Sequence, residues 1–253
     1  MSTTFGSVLK EWRGIRRMSQ LDLSNVADVS ARHISFLESG RSRPSRSMAM
    51  HLAEALDLPR ADRNRLLTAA GFSPMWRTHD LAADVMAPVH DAIRWTLERH
   101  LPYPAMVLDR HWQVVDQNTA SQALLAGLGI TGEISFLDEM VGDGALWAMI
   151  DNQGEVGRYL LTRLRTESAA VGGDPVLDAA IEQLAANSDL TPVDEPLPPV
   201  VTADFRIGDV CLSLFSTIAQ FGTAEDLALA ELRIELFFPA DEPTRDFLET
   251  LAG

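Results

Sequence analysis

SQLDLSNVADVSARHISFLESGRSR, Ser19 to Arg43, parses into two short helices joined by a tight turn. Ser19 followed three residues later by Asp22 forms a capping-box start, with Asp where Glu or Gln is usual, and opens a helix from about Gln20 to Ala27. Asp28, Val29 and Ser30 make the turn. Ser30 is placed to cap a second helix from about Ala31 to Glu38, which Gly40 stops. Leu23, Ala27, Ile34 and Leu37 point inward from helices only three residues apart, so the pair crosses steeply. The second helix is left with an exposed N-terminal half.

That half reads Ser30, Ala31, Arg32, His33, Ser35. Its first turn lacks an acidic residue, so the positive end of the helix dipole and the free backbone N–H groups stay available to an anion. Arg32 suits a bidentate contact to a guanine edge, Ser35 pairs with several bases, and an outward Phe36 would meet a thymine methyl. His33 also fits a DNA contact. Gln20 suits a phosphate, and Arg41, Arg43 and Arg46 form a basic run where a duplex backbone would pass. These residue types in this order predict a helix-turn-helix reader of double-stranded DNA.

Working outward, Phe5, Val8, Leu9 and Trp12 repeat at helical spacing and predict a first helix over the motif, with Arg13, Arg16 and Arg17 making its end basic. Ser45 to Leu56 and Arg60 to Ala70 read as two more helices, so the head has five. Residues 5 to 72 resemble the DNA-binding domain of the Xre/Cro family of bacterial and phage repressors, through SQLDL, VSARHISFLESGRSRPS and LAEALDL. Ser24 and Asp28 depart from the usual Ala at the helix crossing and Gly in the turn. Both are tolerable, since Ser is small and Asp accepts left-handed backbone better than most residues.

Residues 73–86 mix proline, polar and apolar residues and read as a linker that partly packs. A helix from Met86 to Leu101 follows. AMVLD and WQVVDQ are then short β-rich runs, separated by a hairpin at Asp109-Arg110-His111. Helices are expected at Asn118 to Leu128, Gln153 to Ala170 and Pro175 to Asn187. After the Pro-rich segment 191–199 the pattern turns to strands, in VVTADFRI, DVCLSLFSTIAQF and ALAELRIELFF, before a last helix near Thr244 to Leu251. Two strands, several helices and three strands close most simply as one five-stranded antiparallel sheet with the helices across one face. PAMVLDRHWQVVDQN, EVGRYLLTRLRTESA and DPVLDAAIEQL resemble the MmyB-like ligand-binding domain, a PAS-like sensor that follows an Xre-type head in bacterial regulators. The expected architecture is thus a five-helix, all-α, lambda-repressor-like head over 1–72 and an α+β PAS-like domain over 87–253.

Such a sheet and its helices enclose a space for side chains or for a ligand. Met106, Leu108, Val114, Leu124, Trp147, Tyr159, Leu160, Phe215 and Phe237 are the candidate lining residues, with Leu125, Met140 and Leu214 beside them. Apolar walls with few polar handles point to a small apolar or fatty-acid-like molecule, whose carboxylate would meet Arg158, Arg165 or Tyr159. The alternative is a ligand-free PAS-like module for protein interaction and dimerisation.

Composition sets further bounds. The 253 residues are 46% hydrophobic and 23% charged, ordinary for globular domains. Residues 1–80 carry 12 Lys and Arg against 8 Asp and Glu, whereas residues 81–253 carry 9 against 28. A basic head on a strongly acidic body predicts that only the head meets a polyanion. The single cysteine, Cys211, excludes an internal disulfide, fits a reducing cytoplasm and is expected to be buried in an apolar strand. The six histidines show no tight metal-ligand spacing, and no nucleophile motif, phosphate-binding glycine loop or catalytic carboxylate pair is found, so neither a metal, a cofactor nor catalysis is expected. No signal peptide or membrane span is read. The sequence as a whole predicts a cytoplasmic bacterial transcription regulator, a homodimer that reads DNA and answers to a small-molecule effector.

Overall fold

The computed structural model describes residues 4–79, 83–186, 196–222 and 226–252. Residues 80–82 of the expected linker, Asn187 at the end of an expected helix and residues 191–195 of the Pro-rich segment lie outside them. The chain divides into two compact units, the first built on Met1–Thr78 and the second on most of the remainder.

The first unit is a bundle of α1 (Phe5–Ile15), α2 (Gln20–Ala27), α3 (Ala31–Glu38), α4 (Arg46–Ala55) and α5 (Arg60–Ala69). Its core gathers Val8, Leu9 and Trp12 with Leu23, Ala27, Ile34, Leu37, Leu52, Leu66 and Leu67. Local capping chemistry sets the helix starts. Ser19 accepts from the Asp22 amide at 3.1 Å and the Asp22 carboxylate accepts from the Ser19 amide at 2.8 Å, so Asp completes the capping box. Asp28 ends α2 in the left-handed region at φ 49°, where the usual Gly would sit. Gly40, at φ 72°, closes α3 as a left-handed residue just past its end. Beyond α5, Asn64 holds the chain by accepting from the amides of Met75 (2.8 Å) and Trp76 (3.1 Å), so the start of the expected linker packs down.

The second unit opens with α6 (Ala87–Arg99), then β1 (Ala105–Leu108) and β2 (Val114–Gln117). Next come α7 (Thr119–Gly127), α8 (Phe136–Glu139), α9 (Ala145–Ala148), α10 (Gln153–Ala170) and α11 (Pro175–Ala185). The sheet is completed by β3 (Ala203–Ile207), β4 (Val210–Ala219) and β5 (Arg233–Pro239), with α12 (Leu227–Ala230) before β5 and α13 (Glu242–Ala252) at the end. The order is β2-β1-β5-β4-β3 and every pairing is antiparallel.

Side-chain alternation sorts this sheet into two faces. Met106, Leu108, Leu212 and Leu214 join the main core with α7 to α11 and Leu248 of α13. Ala105, Val107 and Ile234 point the other way, where Ile93 and Leu97 of α6 cover them. The expectation of helices on one face alone is corrected: β1 is buried along its whole length because α6 lies on the opposite side. Asn118 ties these layers together, accepting from the Ala105 and Ser121 amides and donating to the Leu97 and Tyr103 carbonyls.

Two further expectations fail for related reasons. Cys211 is exposed, because β4 alternates and it is Leu212 that turns into the core. Trp112, expected within a strand, sits in the hairpin with φ 60° and is fully buried.

Candidate DNA-binding face and ligand cavity

On the head, Ser30 caps α3 by accepting from the His33 amide at 3.2 Å, and no acid occupies the first turn. Ser30, Arg32, Arg41 and Arg43 are exposed, while Ala31, His33, Ser35 and Phe36 are half-buried. Phe36 is more than a candidate methyl contact. The Arg32 guanidinium lies 5.3 Å and that of Arg41 5.9 Å from its ring centroid, so one aromatic ring steadies two cations of this face.

Gln20 is placed differently from the phosphate contact expected of it. Its amide donates to Glu38 at 2.7 Å, and Arg13 holds the same carboxylate with bonds of 2.7 and 3.1 Å. This brace joins α1, α2 and the end of α3. Burial would raise the Glu38 carboxyl, but the hydrogen bonds from Arg13 and Gln20 outweigh it and hold it below its ordinary value. Two of the three arginines expected to make the end of α1 basic are engaged within the head: Arg13 serves Glu38, and Arg16 donates to the Leu56 and Asp57 carbonyls. Arg46 likewise donates to the Ser73 carbonyl at 2.8 Å.

Two small adjoining cavities lie among the described residues of the body. The first, of about 40 Å³, is bordered by Met106, Leu124, Leu125, Leu128, Ile207 and Leu212. The second, of about 60 Å³, is bordered by Tyr159, Leu160, Met140, Phe215 and the polar groups of Arg163, Ser216 and Glu235. Phe136, Phe205, Leu214 and Phe237 border both, with the Phe136 and Phe237 rings edge to face at 6.0 Å.

Six of the nine expected lining residues thus border a cavity. Leu108, Val114 and Trp147 do not: Leu108 and Val114 are cross-strand partners at the hairpin end of β1, and all three are packed into the core. Phe215 borders the second cavity, yet its ring stacks on Phe238 at 5.4 Å. The pair Phe215–Phe238 alternates with Ser216–Phe237 along the ladder, so Ser216 shares the face of Phe237.

A helix-turn-helix model matches residues 4–66, and the model for the MmyB-like transcription regulator ligand-binding domain matches residues 89–251. The chain belongs to the MmyB-like transcription regulators. No curated protein matches it. A solved RNA-binding light-oxygen-voltage receptor aligns with 94% of this chain and 63% of its own at 15% identity, with a TM-score of 0.24, too low to bear on fold or function. This MmyB-like chain is a DNA-binding transcription regulator with a ligand-binding domain.

The polar end of this regulator's second cavity is the feature that sequence reasoning missed. Arg163 Nη1 and Nη2 donate to Glu235 at 3.0 Å each, and its Nε donates to Glu167 at 3.0 Å. Trp112 Nε1 donates to Glu167 at 2.9 Å, Arg233 Nη1 lies 2.5 Å from the same carboxylate, and the Arg163 guanidinium sits 4.1 Å over the Trp112 ring. Ser216 donates to Glu235 at 2.6 Å. Burial alone would lower the arginine and raise Glu167; the mutual pairing reverses both, keeping Arg163 more basic and Glu167 more acidic than usual. Arg158 and Arg165, the arginines expected to meet a ligand carboxylate, do not border this cavity, and Arg165 is exposed. The only available signal was the helical spacing of Arg163 with Glu167, which cannot reveal a partner on β5. Among the described residues, no group of three or more His, Cys, Asp or Glu is arranged to hold a metal ion, and no helix is long and apolar enough to cross a membrane.

Two predictions arise here. Arg32→Ala should weaken binding to the preferred duplex by about 1–3 kcal/mol and relax base preference at one position. Fluorescence anisotropy at fixed salt, run over a set of single-base variants, checks this; unchanged preference at every position would remove Arg32 from base readout. Acidification should destabilise the body. Burial lowers the His100 pKa below its ordinary value of about 6.5, outweighing its hydrogen bond to the Phe237 carbonyl. The Glu167 and Asp174 carboxyls are lowered too, Asp174 by His111 and the Val176 amide against the opposing effect of burial. A depressed pKa adds stability above the unfolded value that is lost as pH falls through the folded one. The melting temperature of the body should therefore begin to fall below about pH 6.5 and fall further below about pH 4. A flat profile across that range would contradict it.

Proposed function

We propose that this chain is a cytoplasmic, bacterial regulator of the Xre type that binds an operator as a homodimer and is controlled by a small apolar molecule held in the body. The observation that carries the DNA half is the exposed, acid-free start of α3 with Arg32 and Arg41 gathered on Phe36 and Arg43 beyond. An inverted repeat is the operator that two such helices would read. The ligand half rests on two adjoining cavities whose common walls are apolar. A molecule that prefers one dimer geometry would shift the spacing of the heads, and that preference is what changes DNA affinity. No catalysis is part of this reading, since the titratable groups at the cavity are engaged with one another.

One observation favours a second reading. Each cavity is smaller than the roughly 150 Å³ that admits a benzene ring, so an occupant must displace side chains such as Phe237. A body packed to this degree also suits a ligand-free module for protein interaction and dimerisation. Native mass spectrometry before and after solvent extraction separates the two. Extra mass lost on extraction supports the sensor, whereas bare protein with no thermal shift across apolar probes supports the interaction module. Selection from random duplexes should yield an inverted repeat; a monomer on gel filtration with and without that duplex would overturn the dimer.

A further inference from the structure

We infer that the cavity selects an uncharged amphiphile, with one hydroxyl or amide head on an apolar tail, over a fatty carboxylate of the same length. This rests on the sensor reading and names the chemistry of its ligand. The polar end beside Tyr159 is bordered by Arg163 and Glu235, and behind them Glu167 pairs with both Arg163 and Arg233, so two guanidinium groups stand against two carboxylates. Their charges cancel within a site where the Glu235 side chain is only 2% exposed and that of Arg163 9%. All three nitrogens of Arg163, the guanidinium that borders the cavity, already donate to these carboxylates, so Arg163 has no nitrogen left to receive another anion.

A ligand carboxylate would have to enter beside Glu235, where two like charges in a poorly solvated space repel, or displace it and leave it buried without its partner. A hydroxyl or primary amide meets neither obstacle. It can donate to a remaining lone pair of Glu235 and accept from the Tyr159 hydroxyl, while the Ser216 oxygen offers a further acceptor. The walls shared with the first cavity, Phe136, Phe205, Leu214 and Phe237, are apolar, which gives the tail its direction.

The test titrates the full-length protein with octanol, octanamide and octanoate near neutral pH, reading displacement of a fluorescent apolar probe. The alcohol and the amide should each bind at least tenfold tighter than the carboxylate. Glu235→Gln, which removes one negative charge while keeping the shape, should narrow or reverse that ratio in favour of octanoate. Should that variant not fold, octanoate methyl ester on the unaltered protein serves instead, and it should bind more tightly than octanoate. Octanoate binding as tightly as octanol would overturn the inference while leaving the sensor reading in place. Failure of all probes, together with no extractable molecule in the purified protein, would overturn the sensor reading and this inference with it.

Discussion

Glu235→Ala is expected to destabilise the body by about 3–5 kcal/mol, a large share of what an ordinary domain possesses. Glu235 lies on β5 with its side chain almost wholly out of water, and the bidentate bond from Arg163 of α10 satisfies both of its oxygens. Truncation removes that acceptor pair and the Ser216 bond at once. Arg163 keeps Glu167, but a buried guanidinium loses half of its compensation, and the cost of burying it is no longer offset. Chemical denaturation followed by a probe in the body measures the loss. Replacing both partners together, as Arg163→Met with Glu235→Leu, should recover part of it, because an apolar pair of similar volume leaves no charge stranded. A loss below about 1 kcal/mol for the single variant would mean that the pair is solvated in solution and contributes as a surface ion pair does.

Ile34→Ala should cost the head about 2–5 kcal/mol and abolish DNA binding near the melting temperature of the variant. Ile34 is fully buried on the inner side of α3, in one core with Leu23 and Leu37. The outer side of the same helix carries Arg32 and Ser35. The variant leaves every outward side chain in place, so a fall in affinity would come from loss of the bundle that presents them. Arg32→Ala is the matched control: it should lower affinity while leaving the thermal transition within about 0.5 kcal/mol of the parent, as exposed substitutions do. Equal melting temperatures for the two variants would show that α3 does not depend on its buried face.

The head was legible because its information is local. Capping residues lie within three positions of the amides they serve, the turn residue Asp28 carries its own conformational tolerance, and the apolar spacing of Leu23, Ala27, Ile34 and Leu37 defines the inner face. Exposure of Arg32, Arg41 and Arg43 followed from that spacing. The Glu38 brace did not, because Arg13 and Gln20 reach it from 25 and 18 positions away and nothing in the local pattern distinguishes them from solvated polar residues.

In the body, element types and the five-stranded sheet followed from the change of hydrophobic period and from family resemblance. The faces of the sheet did not. A short strand of four apolar residues such as β1 reads alike whether one or both sides are covered, and only the packing of α6 reveals that both are. The amino-acid sequence by itself determined a helix-turn-helix head, an acidic α+β body and the exposed, acid-free start of α3, since short-range periodicity and capping specify these. The tertiary structure decided that Cys211 faces solvent, that Trp112 is buried in a left-handed turn, and that Arg163 meets Glu235 across 72 positions. Pairings of that range depend on how strands and helices register against one another, and register is set by the whole core and not by the residues that form the pair.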